Sequence, residues 1–343
     1  DFAEFDGKTL INLDTEEYGE IYVSSAGGAR TETKFITEVR KIGNEYTPVS
    51  IEVKGLSGGH SGAEIHKNLG NSVKILSEVL YHLSKRYEIL LSHIDGGGKV
   101  NAIPREAIAE IAVKLDGDSI DEFKKLAGLA FENIIHDFKV SDKSPILMVE
   151  KIDSKNKEET FSVISLGDTS NIISFLHEFP NGVLQMSRHI EGLVKTSINL
   201  GVINTEIVDG NAKIKIKSLA RSMTNASLDK LLEEITELTR KHDANIKIAS
   251  SNPPWEYKEN SEIRELIVKS FKELTGKDPV IKAIHAGLEC GIFTENIKNA
   301  DVVSIGPNIY GAHTPEERMD IKSVGETWEW ILKILENYNI KEE

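Results

Sequence analysis

Two residues near opposite ends of this 343-residue chain are candidate metal ligands. His313, held between small residues and a proline, lies in the loop after the apolar run at 302–305. A histidine on a stiff loop at the carboxyl end of a strand is typical of a metal ligand in hydrolases. Asp14 follows the strand-like residues 9–13, where α/β folds place carboxylates of their sites. The plainer alternatives are a loop histidine bonded to a carbonyl group and an aspartate that caps a turn or helix.

His60 is a third candidate because glycines surround it in the sequence. It lies in the segment Gly55-Leu-Ser-Gly-Gly-His-Ser-Gly-Ala-Glu-Ile-His66. Glycines allow the backbone to approach a ligand or a neighbouring subunit closely. A tight turn that exposes an ordinary histidine explains the same pattern equally well.

Asn101, Arg221 and Glu289 are polar residues for which a binding role competes with an ordinary one. Asn101, between a glycine run and a strand, can pair with a carboxylate or a peptide group, or it caps a turn. Arg221 ends a strand, where a guanidinium suits bidentate recognition of a carboxylate, although a solvated arginine is the default. Glu289 by itself indicates a surface carboxylate. Its neighbour Cys290 has no flanking base, which argues against a thiol nucleophile.

The composition indicates a globular protein with room for two domains. Charged residues make up 28% and hydrophobic residues 39% of the chain, which argues against extensive disorder. The net charge of −14 disfavours nucleic acid and anionic membranes as partners. No apolar run approaches the roughly 20 residues that span a bilayer. A single cysteine excludes an internal disulfide and agrees with a cytoplasmic location.

The pattern of elements predicts a split α/β domain with a long insertion. Strand-like runs at 9–13 and 20–24 end at a break at Gly27-Gly28. Residues 30–250 then show a strand–helix–strand–strand–helix order twice, as in one α+β unit used two times. After a proline-containing linker, helices and strands alternate, which predicts a parallel sheet. We therefore expect residues 1–29 and 251–343 to form one domain and residues 30–250 an inserted one.

Taken together, the candidate residues lie in segments that resemble one family. The segments are INLDTEEYGEIYVSSAGG with Asp14, GLSGGHSGAEIH with His60, GGKVNAIPREA with Asn101, IKSLARS with Arg221, HAGLECGIF with Glu289 and SIGPNIYGAHTPEER with His313. They occur in the same order in the aminoacyl-histidine dipeptidases, also called Xaa-His dipeptidases or peptidase D, of the M20 metallopeptidase family. The resemblance covers essentially the whole chain.

The resemblance implies a zinc peptidase sheet of the phosphorylase/hydrolase-like kind, interrupted by a lid domain of two ferredoxin-like halves. It implies two Zn²⁺ ions per site, for which Mn²⁺ or Co²⁺ can substitute, with Asp14 as ligand of one ion and His313 of the other. His60 would stabilise the oxyanion, reaching the site across a homodimer formed by the lids. Asn101 and Arg221 would bind the peptide group and the carboxylate of a dipeptide, and Glu289 would shape the pocket.

The chain departs from the family pattern at its start. Members carry a His-x-Asp pair, a bridging Asp and a Glu-Glu pair upstream of the position of Asp14. This chain has none of them and opens, without an initiator methionine, almost directly on a strand. We therefore expect a part of a dipeptidase that is inactive alone. The alternatives are a non-catalytic remnant that dimerises and binds ligand, and another M20 activity such as a tripeptidase or an aminoacylase, against which the His60 segment argues.

Overall fold

Two separate β-sheets organise the chain in the computed structural model, which describes residues 7–138, 140–142, 144–152, 161–188, 190–312 and 314–339. Its strands are β1 (Thr9–Asn12), β2 (Glu20–Ser25), β3 (Gly27–Lys41), β4 (Thr47–Lys54), β5 (Gly59–His60), β6 (Glu88–Gly96), β7 (Ala102–Ile103), β8 (Ala107–Lys114), β9 (Ile146–Lys151), β10 (Ser162–Ile164), β11 (Gly182–Met186), β12 (Val194–Val208), β13 (Asn211–Ser222), β14 (Asn245–Asn252), β15 (Val280–Ile284), β16 (Asp301–Ser304), β17 (Ile309–Tyr310) and β18 (Arg318–Met319). Its helices are α1 (Ser72–Ser84), α2 (Ile120–Asp137), α3 (Leu166–Glu178), α4 (Asn225–Lys241), α5 (Glu262–Thr275), α6 (Cys290–Asn296) and α7 (Ile321–Asn339).

The smaller sheet has four strands in the order β1-β16-β2-β15. The outer pairs, β1 with β16 and β15 with β2, are parallel. The central pair, β16 with β2, is antiparallel and meets at Ser304 and Tyr22. The expectation of an all-parallel sheet was therefore wrong, because alternation of helices and strands along the chain does not define the direction in which distant strands meet.

The larger sheet has ten strands and consists of two α+β halves. In the first half, the strands lie in the order β9-β4-β8-β6, and α1 and α2 connect them. In the second half, the order is β14-β3-β13-β12, with α3 and α4 in the equivalent connections. If the four strands of each half are numbered in chain order, they lie side by side in the order 4-1-3-2, with antiparallel neighbours. This is the ferredoxin-like arrangement. The predicted pair of ferredoxin-like halves is confirmed.

The two halves are nested in sequence and joined edge to edge. The first half lies between β3 and α3 of the second half. The halves meet where β6 and β12, the second strand of each unit, pair antiparallel at Gly96 and Ile203. One continuous sheet results, with α1 packed against α3 on its surface. We refer to this ten-stranded sheet and its four helices as the lid.

Most predicted helices begin where a polar residue caps them. Asn71 accepts a hydrogen bond from the backbone nitrogen of Lys74 at 3.0 Å at the start of α1, and Ser119 forms a capping box with Glu122 at the start of α2. Helix α4 begins at Asn225, because Thr224 is its N-cap. Within the described part of the chain, no helix combines the length and the apolar character needed to span a membrane.

Each sheet has its own hydrophobic core. The larger core fills the lid, and the smaller one joins the four-stranded sheet to α5 and α7 through Ile21, Ile267 and Trp330. Gly27 and Gly28, predicted as a break, instead begin the 15-residue strand β3, and a side chain at Gly27 would overlap the backbone of the 252–254 segment. The division of the chain after residues 29 and 250 stays a prediction.

Gly306 allows the loop after β16 to pass directly against the segment after β1. A methyl group at this position would overlap the carbonyl oxygen of Thr15. We expect Gly306→Ala to lower the free energy of unfolding by about 2–4 kcal/mol, because the backbone must shift. Gly325→Ala, on the exposed face of α7 with no atom near the added methyl, is the control and should stabilise by about 0.5–1 kcal/mol. Urea unfolding measures both, and equal effects would contradict the expectation.

Candidate functional site

Residues from three segments of the chain surround Gly62. A methyl group built on Gly62 would lie 2.7 Å from the carbonyl oxygen of His285, 3.1 Å from Nε of Arg221 and 3.1 Å from Cε1 of His60. These residues are far apart in sequence and come from the first half of the lid, the second half and the four-stranded sheet's loop. A side chain at residue 62 would therefore fill the space between them, which explains why glycine occupies this position.

The backbone around His60 determines which of its two ring nitrogens carries the proton. It belongs to β5, which pairs with β7 in a short hairpin. Its Nδ1 accepts hydrogen bonds from the backbone nitrogens of Ala63 at 3.0 Å and Gly62 at 3.3 Å. A nitrogen that accepts a hydrogen bond carries no proton, so the proton of the neutral ring is on Nε2. The backbone thus selects the tautomer in which Nε2 is a donor.

The structure brings His60 to Arg221 within one chain. The family resemblance implies that His60 acts across a dimer. The second half of the lid pairs with the edge of the first half's sheet. Its strand β13 carries Arg221. The contact of both residues with Gly62 therefore needs no second copy.

Arg221 is a cation without a counter-ion among the described residues. Its Nε is buried and has no hydrogen-bond partner, and no described carboxylate forms an ion pair with it. Burial, followed by repulsion from Arg30, lowers the pKa of Arg221. Burial without a partner is unfavourable for a guanidinium, so an anionic ligand would relieve this cost.

His285 also belongs to this site, although no sequence pattern predicted a role for it. It is 6% exposed, and its Nε2 lies 2.7 Å from Oγ of Ser197 on β12. Among the described residues, none forms a hydrogen bond of good geometry with its buried Nδ1. Burial, and then the nearby charge of Arg221, lower the pKa of His285 to about 3, although the Val194 carbonyl opposes this shift. The ring is therefore neutral at physiological pH.

The low pKa of His285 predicts a loss of stability in acid. In the unfolded chain the imidazole takes up a proton near its ordinary pKa of 6.5, whereas the folded chain does so only near pH 3. The unfolded state thus binds more protons between these values, and stability falls as the pH falls through this window, by up to about 1.4 kcal/mol per pH unit. His285→Gln should flatten the dependence of the urea midpoint on pH between 4 and 6.5. His136→Gln, at an exposed position on α2, is the control. A pH slope for His285→Gln equal to those of the wild type and of this control would contradict the expectation.

Asn101 lies beside His60 on the other side of the hairpin. Its carbonyl oxygen accepts a hydrogen bond from the backbone nitrogen of Ser61 at 2.9 Å. Both Asn101 and His60 line a groove of about 1000 Å³ that also contains Lys99 and Arg105. The groove borders this face of the hairpin.

Asp14 and Glu289 lie in a second cluster, around Cys290. Asp14 follows β1 and is exposed, and Glu289 is the exposed N-cap residue of α6. Burial, together with the charges of Glu289 and Asp14, raises the pKa of the Cys290 thiol to about 12, although a contact with Asn12 opposes the shift. Both carboxylates are therefore close to this sulfur. The thiol stays protonated, which agrees with the expectation that it is not a nucleophile.

The described residues do not match the two-zinc centre that the resemblance implies. Among them, no group of three or more histidine, cysteine, aspartate or glutamate side chains is placed to hold a metal ion. Asp14 supplies one carboxylate, and His313 lies outside the described residues. The loop at 285–289 connects the Arg221 cluster to the Asp14 cluster, so both sets of candidate residues border the same segment.

Comparison with known proteins identifies relatives of this chain. Residues 51–135, in the first half of the lid, match the M20 family's peptidase dimerisation domain. The chain is 34% identical over 332 residues to the cytosol non-specific dipeptidase of Escherichia coli (strain K12), covering 97% of this chain and 66% of the relative. The solved structure of aminoacylhistidine dipeptidase from Vibrio alginolyticus superposes with a TM-score of 0.86 at 30% identity, covering 97% of this chain and 66% of that one. The chain thus spans 66% of the length of both relatives.

Proposed function

Because this chain belongs to the M20 peptidase family, we propose that it takes part in the hydrolysis of dipeptides, with aminoacyl-histidine dipeptides as the preferred class. The substrate class follows from the names of the relatives, a non-specific dipeptidase and an aminoacylhistidine dipeptidase. In this proposal, residues of the chain around Gly62 form the substrate-binding part of the site.

The unpaired guanidinium of Arg221 carries the proposal. A dipeptide differs from a longer peptide in that its free carboxylate lies one residue from the scissile bond. A half-buried arginine with a buried Nε and no counter-ion among the described residues suits such a carboxylate, since the guanidinium offers two parallel donors. The nearness of His60 to Arg221 then sets the length of substrate that fits between them.

The other candidate residues have roles that follow from this placement. His60 would donate from Nε2 to the carbonyl oxygen of the scissile bond, where negative charge develops during attack. Asn101, on the same hairpin, would bind the peptide group. Glu289, at the start of α6, would border the pocket.

Asp14 and His313 remain our proposed ligands of Zn²⁺, with Mn²⁺ or Co²⁺ as substitutes. Two ligands do not retain two metal ions against water, since zinc sites in enzymes take three or more protein ligands each. The described residues contain no such group. The roles proposed for Arg221 and His60 do not depend on the identity of the metal.

A second candidate function is ligand binding without hydrolysis. The lack of a three-ligand metal group among the described residues favours it, because Arg221 would still bind a carboxylate. The two candidates share the binding site and differ in turnover.

Calorimetry and product analysis with the dipeptide Ala-His separate these functions. We expect this chain to bind Ala-His but not to cleave it by itself, because the described residues lack a three-ligand metal group. Joined to an upstream segment that carries the family's further ligands, the chain should cleave Ala-His with Zn²⁺, a chelator should abolish cleavage, and added Zn²⁺ should restore it. Binding without cleavage by the joined chain under every metal condition would select the second function. Failure to bind Ala-His would overturn both, since both require the carboxylate site.

We also propose a homodimer in which the lid takes part, based on the match of residues 51–135 to the dimerisation domain. The cytosolic relative supports a cytoplasmic location for this chain. Sedimentation of the purified protein tests the first proposal, and a purely monomeric species at micromolar concentration would contradict it.

A further inference from the structure

Two buried polar side chains lie side by side on the central strand β12. Ser197 and Asn199 are each 1% exposed. Since side chains alternate along a strand, residues two apart project from the same face of the sheet. Polar groups in a buried strand are costly unless they are hydrogen-bonded. Ser197 contacts one side of the proposed site, and Asn199 contacts the other.

Asn199 holds the backbone on both sides of Asn101. Its Nδ2 donates to the carbonyl oxygens of Val100 at 2.9 Å and Ala102 at 2.8 Å. Its Oδ1 accepts from Nδ2 of Asn71, the N-cap residue of α1, at 3.3 Å. The amide is therefore fixed in orientation and binds the carbonyl groups on either side of Asn101.

The segment held by Asn199 is the hairpin that carries His60. Ala102 pairs with His60 between β7 and β5, and the carbonyl oxygen of Asn101 accepts from the backbone nitrogen of Ser61. A side chain at Gly201, on β12, would lie 2.6 Å from Cα of Val100, so the segment presses directly on the strand. Asn199 thus connects β12 to His60 and Asn101.

Ser197 holds the opposite side of the site. Its Oγ lies 2.7 Å from Nε2 of His285, whose carbonyl oxygen faces Gly62. Ser197 is also the direct cross-strand partner of Arg221 on β13. Directly opposed residues project from the same face, so Ser197, His285 and Arg221 pack together.

We propose that Ser197 and Asn199 are positioning residues that set the spacing between the carboxylate-binding Arg221 and the hairpin with His60 and Asn101. The inference rests on the proposed function. Two adjacent positions on one rigid strand define the distance between the group that binds the substrate's carboxylate and the groups that face its peptide bond. The pair thereby restricts the site to dipeptides.

Asn199→Asp tests the hairpin side of this inference. The change keeps the shape but removes the donor, and a carboxylate repels the carbonyl groups of Val100 and Ala102. In the chain joined to the upstream ligand segment, we expect kcat for Ala-His to fall about 10- to 100-fold with KM changed less than about threefold, because His60 is displaced while Arg221 still binds. Asn204→Asp, on the same strand at a half-buried position, is the control and should retain wild-type values.

Ser197→Ala tests the other side and carries the test if Asn199→Asp does not fold. Here the expected change is the reverse, a rise in KM of about tenfold with a smaller effect on kcat, because His285 and Arg221 lose their support. Ser197→Thr, which keeps the hydroxyl, should restore KM. A purely structural role would lower stability in both variants without this crossed pattern in kcat and KM, and such a result would overturn the inference.

Amide hydrogen exchange separates failure of this inference from failure of the proposed function. Exchange at residues 59–63 and 99–103 should become at least about tenfold faster in Asn199→Asp and stay unchanged in Ser197→Ala. Unchanged exchange in Asn199→Asp would overturn the positioning role. Wild-type protein that neither binds nor cleaves Ala-His would overturn the proposed function, whatever the exchange rates show.

Discussion

Replacing Arg221 with methionine is expected to weaken the binding of Ala-His about 100- to 1,000-fold, the loss of a bidentate charged pair. The binding of the C-terminal amide, Ala-His-NH₂, should change little, because the amide has no carboxylate for the guanidinium. Weaker binding of the acid together with unchanged binding of the amide would show that the guanidinium acts on the carboxylate. Calorimetry with both ligands measures it.

The same variant should not lose stability. Arg221 is half-buried, its buried Nε has no hydrogen-bond partner among the described residues, and it lies next to His285, so methionine removes an uncompensated charge. We expect the free energy of unfolding to stay equal or to rise. Weaker binding in a variant that is no less stable identifies Arg221 as a binding residue and not as a structural one.

Two controls accompany this prediction. Arg221→Lys keeps the charge but not the planar pair of donors, so its affinity should lie between those of the wild type and Arg221→Met. Arg240→Met, on the exposed side of α4, should bind as the wild type does. Equal affinity of Arg221→Met and wild type for Ala-His would remove the observation on which the proposed function depends.

Replacing His60 with alanine is the change expected to affect turnover most. If Nε2 donates to the developing oxyanion, kcat for Ala-His should fall roughly 10²- to 10³-fold while substrate affinity changes little. The hydrogen bonds from Gly62 and Ala63 to Nδ1 already hold the ring in the donating tautomer. Steady-state kinetics of the chain joined to the upstream ligand segment, with saturating zinc, measures the effect.

His66→Ala is the matched control for this variant. His66 lies in the short turn Ile65–Lys67 and is exposed, so its removal should leave kcat unchanged. Glutamine at residue 60 has a donor but lacks the ring geometry, and it should retain part of the rate. A His60→Ala enzyme with wild-type kcat would show that His60 only shapes the hairpin.

Local signals predicted most of the secondary structure. The strand-like runs at 9–13 and 20–24 correspond to β1 and β2, because an apolar run bounded by turn residues is a local signal. The repeated order of elements predicted two α+β halves, and the resemblance identified them as ferredoxin-like. Each of these signals acts over a few residues or follows from chain order.

Other features depend on contacts between distant parts of the chain. The sheet order, the antiparallel pairing of β16 with β2 and the nesting of one half within the other follow from which edges meet. Gly27 and Gly28 read as a break because glycine usually interrupts strands, yet close approach of the 252–254 segment requires glycine there. Local pattern cannot distinguish these two uses of the same residue.

The candidate site divides in the same way. The sequence by itself determined which residue types were available for chemistry: His60 among glycines, Arg221 at the end of a strand, and Asp14 and His313 after strand-like runs. Only the tertiary structure decided that His60 and Arg221 meet at Gly62, that His285 joins them as a neutral ring, and that Ser197 and Asn199 hold both sides. The reason is physical, since burial and charge, which lower the pKa values of Arg221 and His285, arise from neighbours that are distant in sequence.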